Sequence, residues 1–392
     1  MKRTFIRLCM AVAVTATAFA FAACTDENKD NQGTQPGDDS DQRAAAVATQ
    51  FVDNTVAPTY TALAERAELL AFQLAALKTA PTQPGLEEAC NTFLAAREEW
   101  EKSEAFLFGA AGDFGIDPHI DSWPLDEDAF ATLMNSPAML AALDAEDGDV
   151  VAGERLGNAL LGFHGIEYIL FADGHAKNVS DISASQWTYV AAVAGDLRNR
   201  CYQLEVGWMG GKAPASHIAK LDDIELAYTV AGSGNSYGDN MKNAGQAGST
   251  YMSRKAAVMA IVQGCSDIAD EVGSSKIYSA WHGEDITYIE SPYSHMSIID
   301  FHNNIVSIQN AYLGGVEGQR DDSKSVHAFV KAINSSLDAR VINAIENALA
   351  KIDAMPAPFV QHYADPANGQ AVEACNALSE VLDEVIETIR KN

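Results

Sequence analysis

Apolar residues recur every three or four positions through most of this chain, and no stretch alternates β-branched and polar residues in the way a strand requires. From Ala46, AVATQFVDNTVAPTYTALAERAELLAFQLAALK reads as helix, interrupted by PTQPG at Pro81–Gly85. LEEACNTFLAAREEWEKSEAFLF then predicts one helix bearing Glu101 and Glu104 on a common face, because residues three apart are helical neighbours. DEDAFATLMNSPAMLAAL predicts short helices split at Pro137, and a further helix is expected from near Gly153 through His164 to just before DGHAKN. An amphipathic helix over Ser185–Met209 ends at GGKAP, a candidate boundary. Beyond it, Asp222–Val230 and Arg254–Val272 are helical in pattern, separated by the glycine-rich AGSGNSYGDNMKNAGQAG. Ser325–Ala354 and Ala371–Arg390 form a helical hairpin around MPAPF. The expectation is an all-α protein with two helical-bundle-like halves, residues 44–212 and 213–392. Glu-Ala-Cys-Asn opens a helix twice, at Glu88–Asn91 and Glu373–Asn376, which points to an internal duplication.

The first residues belong to a different class. Lys2, Arg3 and Arg7 precede an apolar run, Leu8–Phe21, shorter than the ~20 residues a bilayer span needs. Small residues then lead to Cys24 in FAAC, a lipobox-like pattern in which the cysteine is lipidated; the alternative is an ordinary signal peptide with an incidental cysteine. Residues 1–23 are thus expected to be a lipoprotein signal peptide, and residues 24–43, polar and acidic, a disordered tether. The expected location is the cell envelope, lipid-anchored at the outer membrane on its periplasmic or surface face, with envelope proteins as candidate partners. With 26 Lys and Arg against 54 Asp and Glu, the net charge of −28 repels phosphate backbones and argues against nucleic acid. Cys90, Cys201, Cys265 and Cys375 remain in the mature part; they permit two disulfides or four buried thiols, and no C-x-x-C suggests a cysteine metal site.

Candidate chemistry centres on GFHGIEYILF, Gly162–Phe171, where His164 and Glu167 share a helix face and can share one divalent metal. Taken alone, the pair reads first as a buried histidine bonded to a neighbouring glutamate, and only its company favours a metal. It is preceded by AREEWEKSEAFLFG with Glu101 and Glu104, and by HIDSWPLDEDAF with Asp121 beside a turn. This order resembles the imelysin-like family, which shares its core pattern with the metal-binding domain of a periplasmic ferrous-iron uptake component. The family's Gly-x-His-x-x-Glu is met by Gly162, His164 and Glu167, its Glu-then-Phe-Gly element by Glu104, Phe108 and Gly109, and its Trp-Pro turn by Trp123 and Pro124. In the second half Glu290, Ser291, Tyr293 and Ser294 match its Glu-Ser-x-aromatic-Ser segment, and Asp300, Tyr312 and Gly314 match its later Asp and Tyr-x-Gly. His295 stands where the family usually has Asp and carries no role here.

The resemblance implies a metal site formed by Glu101, Glu104, Asp121, His164 and Glu167, oxygen-rich with one imidazole. Such a set suits Fe²⁺, Fe³⁺, Mn²⁺ or Zn²⁺, so the expected cofactor or cargo is a divalent metal or iron. The same family is in part labelled as peptidase, but neither H-E-x-x-H nor H-x-x-E-H occurs, since Tyr168 follows Glu167. Catalysis is therefore not expected, with metallopeptidase kept as an alternative. A third reading is a module for a non-metal envelope ligand or glycan, with Trp123, Glu290, Ser291, Ser294 and Asp300 lining its cleft. His119 could add a ligand; His282, His302 and His327 read as surface or ordinary helix residues.

Overall fold

The structure is a computed structural model that describes residues 36–392; the signal segment and Cys24 lie outside the described residues. Helices dominate, with one two-residue hairpin pairing Phe171–Ala172 with His175–Ala176. In the first half the Ala184–Met209 helix packs along Ala57–Thr79, which in turn packs on Gln83–Glu101. In the second, Arg254–Glu271 and Ser335–Asp353 both pack against the C-terminal Asn368–Lys391 helix. The Pro36–Phe51 helix packs on Arg254–Glu271, Ser297–Leu313 lies against Gln83–Glu101, and the Glu104–Phe106 turn packs on both second-half helices, so the halves are closely joined. The buried faces follow the helical period: Leu63, Ala67, Leu70 and Leu74 are fully buried on one helix, and Leu378, Leu382, Val385 and Ile389 on another. No helix among the described residues is long and apolar enough to cross a membrane.

Four expectations are corrected. The helix that begins the fold starts at Pro36, inside the supposed tether; Ala44, Val47 and Ala48 are buried, and Asp41 pairs with Arg254 at 3.0 Å. The helix runs back from this buried face into the acidic segment, where Asp41 is held by Arg254. Glu101 and Glu104 do not share a helix: the helix ends at Glu101, the Ser103 hydroxyl donates to the Trp100 carbonyl at 2.7 Å, and Glu104 opens a separate 3₁₀ turn. The His164 helix does not begin near Gly153 but at Gly162, after Leu156 turns extended and closes an earlier helix over Gly148–Arg155. Asp222–Val230 is not helical beyond Asp223, because Glu225 takes φ 55° and Leu226 bonds back to Leu221. Cys90, Cys201, Cys265 and Cys375 are all buried free thiols.

Candidate functional site

The nine-residue helix Gly162–Leu170 delivers both motif side chains to the interior. Its first residue has φ +64°, and a Cβ there would lie 1.8 Å from the Ile120 carbonyl oxygen, so only glycine lets the segments touch. That contact sets His164 beside Asp121, the residue directly after Ile120. His164 Nε2 is 3.1 Å from Asp121 Oδ1 and Nδ1 is 3.4 Å from Glu167 Oε2. The first contact is poorly aligned, leaving Nε2 buried without a proper hydrogen-bond partner. Burial works against a charged imidazolium, but Asp121 and Glu167 outweigh it and hold His164 up at about 9. The Trp123 ring lies against the imidazole, with centroids 4.8 Å apart.

Glu167 is fixed from the other half of the chain. Its Oε1 accepts from the backbone amides of Tyr293 and Ser294 at 3.2 and 2.8 Å, and from the Ser294 hydroxyl at 2.7 Å. Ser291 and His295, in the left-handed region at φ 50° and 62°, bracket this turn and aim both amides at one oxygen.

Arg97 is the hub, and the sequence pattern did not single it out. It is 2% exposed and its guanidinium meets Glu101 and Glu290, each at 2.5 Å, together with Asp121; Asp300 stands 3.9 Å away. It also lies over the Phe163 ring, 5.2 Å from the centroid. Burial lowers a guanidinium's affinity for its proton, but Asp121, Glu101 and Glu290 outweigh it and keep Arg97 charged. In return, although burial alone would raise the Asp121 carboxyl, Arg97 and then His164 hold it well below the usual carboxylate range. Trp100 Nε1 donates to Asp121 at 2.7 Å and Asn304 Nδ2 to Glu101 at 2.5 Å. The Ser291 hydroxyl donates to Asp300 at 2.5 Å, while burial pushes Asp300 up to about 7 despite Arg97.

On one side of Asp121 opens a pocket of about 230 Å³, with carboxylates from Glu104, Asp117, Asp121, Glu271 and Glu290 and one ammonium, Lys276. Lys276 sits on a π-helical turn, Val272–Ile277, and lies 3.2 Å from Glu290. Burial pushes Glu104 well above the carboxylate range although Lys276 opposes it, and burial together with Asp121 takes Asp117 up to about 6.

The five residues expected to form one metal shell therefore fall into different places. Asp121 and His164 meet, and Glu290, read as a cleft residue, joins them: the three offer donor atoms within 4.8 Å of one another. Glu104 groups instead with Asp117 and Asp121. Glu101 faces Arg97 and Asn304, and Glu167 faces His164 and the Ser294 turn. Of the cleft residues, Ser291 and Asp300 bond to each other, and Trp123 donates from its indole to the Thr287 carbonyl at 3.0 Å. His119 is turned away, 2.7 Å from Asp196. Arg97 was findable, as a charged residue on the buried stripe of Phe93 and Trp100, four before Glu101. Lys276 and Asp117 carried no local signal.

The imelysin family profile, Peptidase_M75, matches residues 56–385, spanning both the His164 helix and the Glu290 loop. The chain belongs to the imelysin family. Among curated proteins it is similar to iron-regulated protein A of Synechococcus elongatus, 26% identical over 337 residues that cover 85% of this chain and 82% of that protein. Among solved structures it is similar to one assigned to an iron-regulated protein A precursor from Parabacteroides distasonis, with TM-score 0.76, 28% identity, and coverage of 91% of this chain and 97% of that one. An imelysin-like protein from Psychrobacter arcticum shares the fold at TM-score 0.56 and 14% identity, over 89% of this chain and 93% of that one. The all-α architecture expected from the helical period is thus the architecture of this imelysin.

Proposed function

We propose that this imelysin is a cell-envelope protein, carried by a lipid on Cys24, that binds iron or a similar divalent cation through Asp121, His164 and Glu290. The convergence of these three carries the reading: donors from three separate chain segments lie within 4.8 Å of one another in a buried setting. Ligands on opposite sides of an ion at ~2.1 Å stand about 4.2 Å apart, so closure needs only small side-chain movements. His164 Nε2 is buried without a hydrogen-bond partner, which fits a donor meant for a cation, while Glu290 is held at the site by Arg97 and Lys276. Glu167 faces Nδ1 and orients the ring so that Nε2 is presented to the ion, the usual role of a carboxylate behind a ligating imidazole. Arg97 holds Asp121 ionised and ready, at the expense of some cation affinity. Two iron-regulated protein A relatives support iron as the cargo. Peptidase chemistry has no specific support in the donor set.

Metal content by plasma mass spectrometry and calorimetric titration with Fe²⁺ and Zn²⁺ test this, beside His164→Ala and Glu290→Gln. We expect micromolar or tighter binding that both substitutions abolish while circular dichroism stays unchanged. Binding that survives His164→Ala with unaltered affinity would remove this site from the function.

A further inference from the structure

The Asp121 carboxylate belongs to two donor groups at once. One is the group with His164 and Glu290; the other joins it to Glu104 and Asp117, whose donor atoms also lie within 4.8 Å of one another. From this geometry we infer a second cation subsite, Glu104–Asp117–Asp121, so that the protein holds two cations bridged by the Asp121 carboxylate. The inference rests on the metal reading of the His164 site and extends it from one ion to a pair.

A cluster of carboxylates is commonplace on an acidic surface, and this one is different in kind. Glu104 is 6% exposed, lines the pocket, and makes no hydrogen bond or ion pair with any described residue. A buried carboxylate with no partner is costly unless something cationic faces it. The other anions of the pocket have partial answers: Glu290 meets Arg97 and Lys276, and Asp121 meets Arg97 and His164. Glu104 and Asp117 have no direct partner: Lys276 is near enough to oppose the rise of both, but its ion pair is with Glu290. With Asp121 and Glu290 answered by Arg97, the remaining acids of the pocket, Glu104, Asp117 and Glu271, share only Lys276, which is itself paired with Glu290, and a dication there adds the missing counter-charge.

The two subsites differ in chemistry. The His164 side supplies one imidazole nitrogen and suits borderline ions such as Fe²⁺ or Zn²⁺. The Glu104 side supplies oxygen alone and suits harder ions such as Mn²⁺ or Fe³⁺. Asp121 has two oxygens, which lets it serve both neighbours, as bridging carboxylates do in two-metal sites where the ions stand roughly 3.5–4 Å apart.

Mn²⁺ is the probe, because it is paramagnetic and accepts both donor sets. Titration of the purified protein, followed by calorimetry and electron paramagnetic resonance, is expected to show two equivalents whose signals broaden by exchange as the second binds. Asp117→Asn and Glu104→Gln should each lose the second equivalent, keep the first, and restore the sharp six-line spectrum of isolated Mn²⁺. His164→Ala should lose the other equivalent. If Glu104→Gln fails to fold, the half-buried Asp117 still provides the test. One equivalent in the wild type, lost on His164→Ala and untouched by Asp117→Asn, overturns the second subsite while the single-ion reading stands. Two equivalents without exchange broadening overturn the shared carboxylate. No bound Mn²⁺, Fe²⁺ or Zn²⁺ overturns both readings.

Discussion

His164 owes its charge to its neighbours. Its raised pKa, about 9 against an ordinary 6.5, is a stability statement as well: a raised base favours the folded state below the unfolded pKa, and loses that contribution as pH rises through the folded one. Metal-free protein should therefore lose stability between pH 6.5 and 9, and imidazole resonances followed by NMR in the presence of chelator should place the His164 titration near 9. Asp121→Asn should bring that titration down, since Asp121 is the first of the contacts that raise it. An unchanged midpoint would show that another group charges His164. The motif itself was visible in the sequence at this scale, because i and i+3 pairing is a local property. That Glu167 spends one oxygen on the Ser294 turn was not, because the partner lies 127 residues away.

At the scale of the element, glycine decides where the motif helix starts. Gly162 combines a positive φ with a carbonyl contact that admits no side chain. Gly162→Ala should destabilise the protein by about 2 kcal/mol or more in denaturant unfolding, and should weaken cation binding by displacing His164 from Asp121. Retained stability and affinity would show that the Asp117–Ile120 turn can yield. Apolar periodicity carried Ala184–Met209 and Arg254–Glu271 to within a residue or two of their ends, but ran Val326–Ile333 and Ser335–Asp353 together as one helix and did not mark Ser297–Leu313. It also found the short Glu127–Met134 and Pro137–Leu143 helices on either side of the break at Pro137, but not those leading to the motif. Between Gly148 and Leu170 the chain breaks at Leu156 and restarts at Gly162, and the restart depends on the close approach of the Ile120 backbone rather than on propensity.

Across the whole molecule, Arg97 joins the first half to Glu290 and Asp300 of the second. Arg97→Met leaves several buried carboxylates without their counter-charge, and should cost about 3–5 kcal/mol by chemical denaturation, with Arg97→Lys a poor substitute because an ammonium lacks the fork that reaches several carboxylates. Full stability in Arg97→Met would mean that the acids simply protonate. The four cysteines make a second global test. Burial pushes the Cys90 and Cys375 thiols up to about 12, and Cys201 and Cys265 higher. All four should resist iodoacetamide in the native protein and alkylate fully after guanidinium unfolding, as measured by peptide mass spectrometry. Native labelling of any of them would reveal local opening.

Helical class, the order of the long helices and the placing of His164 and Glu167 on one helix face were determined by the sequence alone, because backbone hydrogen bonding and side-chain period act over a few residues. The make-up of the site was decided only by tertiary packing. Arg97 and Glu290 are 193 residues apart, and nothing local tells a glutamate that a guanidinium will lie against it. The same packing separated Glu101 from Glu104, brought Asp117 and Lys276 into the pocket, and set Glu290 with Asp121 on the Nε2 side of His164 while Glu167 stayed on the Nδ1 side. Which carboxylates share a cation is a property of distances between segments, and those distances exist only once the helices are packed.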